Sequence, residues 1–195
     1  MTRLIDAALS IPEAAYVTGL TERMINHEID ASILRSQDRT QHRAIGGADV
    51  VYLGAVRGIR KHLAPPLRRQ MRDAIASAIK QRRPVAKIAA FELKIAAIER
   101  EIQANLITLK RMKRDYIESR PEVLAGEPVI KGTRIPARLV ADLIKSGTPR
   151  ELIQQEYDLT PQQTEAAVIF DRVTPKRGRP PARKSRVRKH VLAHR

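Results

Sequence analysis

The sequence predicts a mainly α-helical protein, and three observations carry that reading. Apolar residues recur every three or four positions, most regularly at Ile95, Ile98, Ile102, Leu106, Leu109 and Met112. Helix-start signals such as Ser10-Ile11-Pro12-Glu13 and Thr160-Pro161-Gln162-Gln163 stand directly before helical stretches. Strand-like pieces are short and bounded by glycine or proline.

Composition narrows the function classes. The chain has 195 residues, 43% of them hydrophobic, enough for one or two small domains with aliphatic cores. Cysteine is absent, which excludes disulfides, thiolate metal sites and cysteine nucleophiles. A reducing, cytoplasmic setting fits. The N-terminus lacks an apolar signal core, and no apolar run reaches the roughly 20 residues of a membrane span. The formal charge is +16, and from Arg172 onward there are ten basic residues and no acid. A polyanionic partner is the natural reading of such a distribution, with association to the nucleoid as its cellular counterpart.

Along the chain, Ser10-Ile11-Pro12-Glu13 forms a capping box with proline in the first helical turn. Ala14, Ala15 and Val17 give a small-residue face that another helix can approach. Gly19 suits a tight turn, and Thr21 can cap a second helix whose buried face is Met24, Ile25 and Ile29. Ala15, Gly19 and Ile25 have the spacing of a helix-turn-helix. Double-stranded DNA is then the expected partner. Thr21, Arg23, Asn26 and His27 are candidate contacts on the second helix. Glu22, Glu28 and Asp30 on that helix would repel phosphates, so they point to the body of the protein or to a cytosine edge.

Residues 31–53 combine a basic stretch, including Arg35, Arg39 and Arg43, with Gly46-Gly47 and the β-rich Val50-Val51-Tyr52-Leu53, which reads as a hairpin. Two helices are expected around Pro65-Pro66. The second places Met71, Ile75, Ala78 and Ile79 on one face, with Arg68, Arg69, Arg72, Lys80, Arg82 and Arg83 on the other, either as a solvated face or as a clamp on a DNA backbone. Residues 85–95 fit either a strand, through Phe91, Leu93 and Ile95, or a helix. From Ile95 to Met112 the helical stripe either packs on its own chain or forms a dimer seam.

Residues 116–136 predict two extended pieces joined by a turn. Gly132-Thr133 fixes the turn, and Arg134 is assigned to hydrogen-bond backbone carbonyls. A helix from Arg138 to Lys145 buries Leu139, Val140, Leu143 and Ile144. Thr148-Pro149-Arg150-Glu151 and Thr160-Pro161-Gln162-Gln163 are capping boxes for two further helices joined by Tyr157-Asp158-Leu159. This pair is again helix-turn-helix-like, but its second helix is not basic, so a protein contact is as good a reading as DNA.

Catalytic constellations are missing. His190 and His194 have i, i+4 spacing but no carboxylate partner; no glycine-rich loop has the phosphate-loop pattern, and no serine sits in a nucleophile elbow. Neither an enzyme nor a bound metal or cofactor is expected.

Three segments resemble known families. Gly126, Pro128, Ile130, Gly132, Thr133, Arg134, Ile135 and Pro136 match the pattern G-x-P-x-I-x-G-T-R-I-P. This resembles a small bacterial domain of unassigned function whose members often look like VapB-type antitoxins. The resemblance spans about residues 116–171 and implies a type II antitoxin that neutralises a PIN-domain ribonuclease and represses its own operon as a homodimer. Residues 10–85 resemble, more weakly, the winged helix of the MerR family. Within Pro175-Lys176-Arg177-Gly178-Arg179-Pro180-Pro181, the core Arg177, Gly178, Arg179 and Pro180 is similar to an AT-hook, in which glycine lets the backbone press into a narrow A·T minor groove. The tail also reads as an unspecific phosphate binder or as a segment that enters a toxin's acidic pocket.

The expected architecture is therefore a winged helix-turn-helix over residues 1–84, a linking helix over 85–115 and an antitoxin-like domain with a short β-hairpin over 116–171. A basic tail over 172–195, disordered when free, completes it. A stand-alone transcription regulator or nucleoid-associated protein without a toxin is the alternative.

Overall fold

The computed structural model describes residues 4, 7–34, 44–89 and 91–174. These residues are mainly helical, with short sheets of two strands. In chain order the elements are β1 (Ala8–Ser10), α1 (Ile11–Thr18), α2 (Glu22–Asp30), β2 (Ala44–Gly46), α3 (Gly47–Val56), α4 (Pro65–Lys80), β3 (Val85–Ile88) and β4 (Phe91–Lys94). Then follow α5 (Ile95–Tyr116), β5 (Ile117–Glu118), β6 (Val129–Ile130), α6 (Ala137–Lys145), α7 (Arg150–Tyr157) and α8 (Pro161–Val173). No helix among the described residues is long and apolar enough to cross a membrane.

Local chemistry accounts for several of these elements. Ser10 and Glu13 form the expected capping box, so the Ser10 and Glu13 amides at the start of α1 are satisfied. Thr160 and Gln163 do the same for α8. The Thr148 box does not form: α7 begins after Pro149 without a side-chain cap. Residues 85–95 resolve as the antiparallel pair β3–β4, with Val85 opposite Lys94 and Ile88 opposite Phe91, and α5 begins at Ile95.

Two apolar clusters hold the structure. The larger gathers Ile25, Ile45, Val50, Tyr52, Leu53, Met71, Ile75 and Ile88 with Ile95, Ile102, Leu106 and Leu109 of α5, so the α5 stripe packs on its own chain. The smaller contains Ile130, Val140, Ile153, Leu159, Ala167 and Phe170. Helix α8 serves both, because Ile169 and Val173 belong to the larger cluster.

Some expectations are corrected. Val50-Val51-Tyr52-Leu53 is not a strand but the middle of α3, and all four side chains are buried. Burial on every side of this helix overrides the β-propensity of its residues. The partner of β1 is β2, with Leu9 opposite Ile45. Arg68 is buried rather than solvated, and Arg72 pairs with Asp49 at 2.7 Å. Met24 and Leu139 are exposed rather than buried.

Candidate nucleic-acid interface

The α1–α2 pair is built by its termini. Gly19 sits at φ +71°, a left-handed conformation that glycine adopts cheaply, and its N–H donates to the Tyr16 carbonyl. The Thr21 hydroxyl accepts from the Met24 amide at 3.2 Å, so this candidate contact residue is the N-cap of α2. Ile25 and Glu28 then face inward, while Arg23 and His27 are exposed and Asn26 is half-buried. Three of the predicted DNA contacts therefore share an accessible side of α2 with Glu22, Met24 and Asp30. Arg35, Arg39 and Arg43 lie outside the described residues, as do Arg177, Gly178, Arg179 and Pro180 of the tail.

Glu28 settles the question raised by its charge. Its side chain is fully buried and receives three donors from three different segments. The Tyr52 hydroxyl of α3 donates to Oε2 at 2.8 Å, Arg60 donates to Oε1 at 2.8 Å, and Arg68 of α4 donates to the same oxygen. Burial, then the hydrogen bond to Glu28, push the Tyr52 hydroxyl far above the ordinary tyrosine range. Glu28 thus points into the body, whereas Glu22 and Asp30 stay exposed on α2 and do not.

This network also brings up a segment the sequence reading missed. The short 3₁₀ helix Arg60–His62 lies against α2, and Arg60 reaches both Glu28 and, at 3.4 Å, the Nδ1 of His27. Lys61 and His62 are exposed beside it. The basic run Arg57-Gly58-Ile59-Arg60-Lys61-His62 was the available signal. From α4, Arg69 reaches the carbonyl of Ala31 just beyond α2 at 3.5 Å. The exposed face of α2 is consequently flanked by cations from two other segments.

The motif residues of the C-terminal part form a hydrogen-bonded turn rather than a reactive cluster. Thr133 Oγ1 donates to the Ile130 carbonyl at 2.8 Å and accepts from the Ile135 amide at 3.0 Å. Gly132, at φ +80°, donates its N–H to Glu118 at 3.0 Å. The Pro128 carbonyl accepts from Ala137, while Pro136 precedes α6 and Val129 bridges to it. Gly126, at φ +85°, ends the 3₁₀ turn before β6, and its carbonyl accepts from Ser119. Arg134 is exposed and hydrogen-bonds no carbonyl among the described residues, which corrects its expected role: the threonine hydroxyl next to it ties the turn instead.

A partly open cleft of about 390 Å³ lies between β1, α1 and α5, lined by Leu9, Glu13, Leu106, Leu109, Lys110, Lys113 and Arg114. Lys113 pairs there with Glu13 at 3.1 Å and Arg114 with Asp115 at 2.7 Å. Among the described residues no group of three or more His, Cys, Asp or Glu could hold a metal ion.

Residues 117–170 match a family model described as a protein of unknown function, DUF433. The matched segment runs from β5 through nearly all of α8. A comparison with curated proteins finds no match. The solved structure of Rv2018 from Mycobacterium tuberculosis is similar over 86% of this chain and 98% of that one, at 12% identity and a TM-score of 0.34. That likeness is too slight to establish a shared fold.

Proposed function

We propose that this chain is a DNA-binding regulator of the antitoxin kind. The N-terminal part, in a winged helix-turn-helix arrangement, reads a duplex through α2. The C-terminal module receives a protein partner, a PIN-type ribonuclease whose activity it neutralises, and a dimer represses the operon that encodes both. One observation carries the DNA reading: Arg23, Asn26 and His27 lie on the accessible side of α2 beside Arg60, Lys61 and His62, while Glu28 is turned inside. Glu22 and Asp30 remain exposed on α2, and the cations that offset them are Arg23 together with Arg60, Lys61 and Arg69 from the neighbouring segments, while Glu28 is kept away from a groove lined by phosphates. The protein-contact reading rests on the motif resemblance and on the absence of any reactive cluster in the turn from Gly126 to Pro136.

The deciding experiment is titration of the full chain with duplex DNA, including its own upstream region. With about 6–10 phosphate contacts, affinity falls roughly 10³–10⁵-fold between ~50 and ~200 mM salt. Salt-insensitive binding, or none, overturns the DNA reading. Co-expression with the product of the adjacent reading frame tests the antitoxin half, which predicts a stable complex and loss of ribonuclease activity. The second reading, a stand-alone regulator, draws support from α8, whose Ile169 and Val173 are sunk in the same core as the helix-turn-helix. Failure of every adjacent gene product to bind would favour it.

A further inference from the structure

Glu28 is fully buried on the inward side of α2, beside Ile25, and it is bound by α3, by the Arg60–His62 turn and by α4 at once. Two guanidiniums converge on this single carboxylate, and the Nε of Arg68 is buried with no partner of its own. A carboxylate here balances the buried Arg68, but charge balance alone does not require three separate segments to meet on it. A solvated helix face needs no such anchor, and burying a charge is costly unless its partners are fixed. What the arrangement does achieve is geometric. It ties the last turn of α2 to the basic turn, with Arg60 bridging Glu28 and the exposed His27.

Resting on the DNA-binding reading above, we propose that Glu28 is a positioning residue for sequence selectivity. It never touches DNA, but it locks the α2 face and the Arg60–His62 turn into one rigid contact unit. Base readout depends on that register, whereas attraction to phosphate does not.

The proposal makes a prediction opposite in sign to simple electrostatics. Glu28→Gln removes a negative charge from beneath a DNA-facing helix, so on charge alone it strengthens binding to every duplex. As a positioning residue, its loss lowers selectivity instead. The test uses the full chain, a duplex obtained by selection from a random pool with the wild-type protein, and a scrambled duplex of equal length. Glu28→Gln is expected to keep or raise affinity for the scrambled duplex and to reduce the selected-to-scrambled ratio roughly tenfold, the scale of one well-placed base contact. Equal strengthening on both duplexes overturns the proposal.

Tyr52→Phe provides a second variant that changes no charge and removes one donor to Glu28. It is expected to lower the ratio less, with an unchanged salt slope. If Glu28→Gln fails to fold, an unchanged ratio for Tyr52→Phe overturns the idea. Amide hydrogen exchange without DNA separates this inference from the function on which it rests. Exchange in α2 is expected to accelerate in either variant relative to α6, and unaltered α2 exchange refutes the locking role whatever the DNA result. A wild-type protein that selects no duplex refutes the DNA reading itself, while the exchange data still decide whether Glu28 pins α2.

Discussion

Gly54 lies directly beneath Ile102: a Cβ built on it would meet the Ile102 Cδ1 at 2.7 Å and the Ile98 Cγ2 at 3.0 Å. This glycine is needed for space rather than for backbone conformation. It lets α3 and α5 approach closely enough for the aliphatic stripe of α5 to close the main core.

Gly54→Val is therefore expected to destabilise the chain by about 1–3 kcal/mol, the usual cost of overpacking a filled core. Adding Ile102→Ala should recover part of the loss by vacating the contested space. Urea denaturation checks both variants. A Gly54→Val protein as stable as the wild type would show that the two helices are not pressed together at this point.

Glu13 predicts a defined acid sensitivity. Burial works against its charge. The Ser10 backbone amide and Lys113 outweigh that effect and hold its carboxyl below the ordinary value of 4.5. A carboxyl with a lower pKa folded than unfolded stabilises the protein above the unfolded value and stops doing so as pH falls through the folded one. Melting temperatures taken from neutral pH downward should fall more steeply for the wild type than for Glu13→Gln below about pH 4.5, the two curves converging in strong acid. Parallel curves would remove Glu13 from any role in acid unfolding.

The turn at Thr133 and Arg134 allows a contrast between neighbours. Thr133→Val keeps the shape but loses two hydrogen bonds, at 2.8 and 3.0 Å, and is expected to cost about 1–2 kcal/mol. Arg134→Ala should stay within about 0.5 kcal/mol, as for other exposed side chains without a partner. The same denaturation series decides. A large loss at Arg134 would mean that its guanidinium, not the threonine hydroxyl, ties the turn.

On α2, the triple replacement of Arg23, Asn26 and His27 by alanine is expected to abolish sequence preference while leaving the fold intact, since none of the three is buried. Each alanine at a base-contacting position should cost roughly 1–3 kcal/mol at a specific site. Footprints of the triple variant that match those of the wild type would place recognition elsewhere.

Much of this architecture is written in local chemistry. Ser10, Gly19 and Thr21 mark the ends of α1 and α2, and each acts as its type suggests. Met71, Ile75, Ala78 and Ile79 lie on the buried face of α4, as their spacing requires. What escaped was decided by distant partners. Val50-Val51-Tyr52-Leu53 has strand propensity, yet α1, α4 and α5 surround it, and a helix buries all four residues at once. Glu28 and Arg68 are 40 positions apart, so no periodicity links them: the inward turn of Glu28 could be read from its charge, but its partner could not, and Arg68 read as solvated or as a DNA-backbone clamp. Met24 and Leu139 fell on the outer edge of amphipathic helices, where spacing alone does not separate a rim from a buried face.

Helix α8 has a thermodynamic consequence of its own. Ala167 and Phe170 belong to one cluster, Ile169 and Val173 to the other, and the Arg172 guanidinium sits 5.6 Å from the Tyr16 ring centroid on α1. Neither half can lose this helix without opening its neighbour's interior to water. The segment that matches a separate family is therefore not a detachable appendage, and heat or denaturant should melt both clusters in a single cooperative step. Anything that grips the C-terminal module and holds α8 in place would, through that helix, also steady α1 and the α2 face proposed to bind DNA.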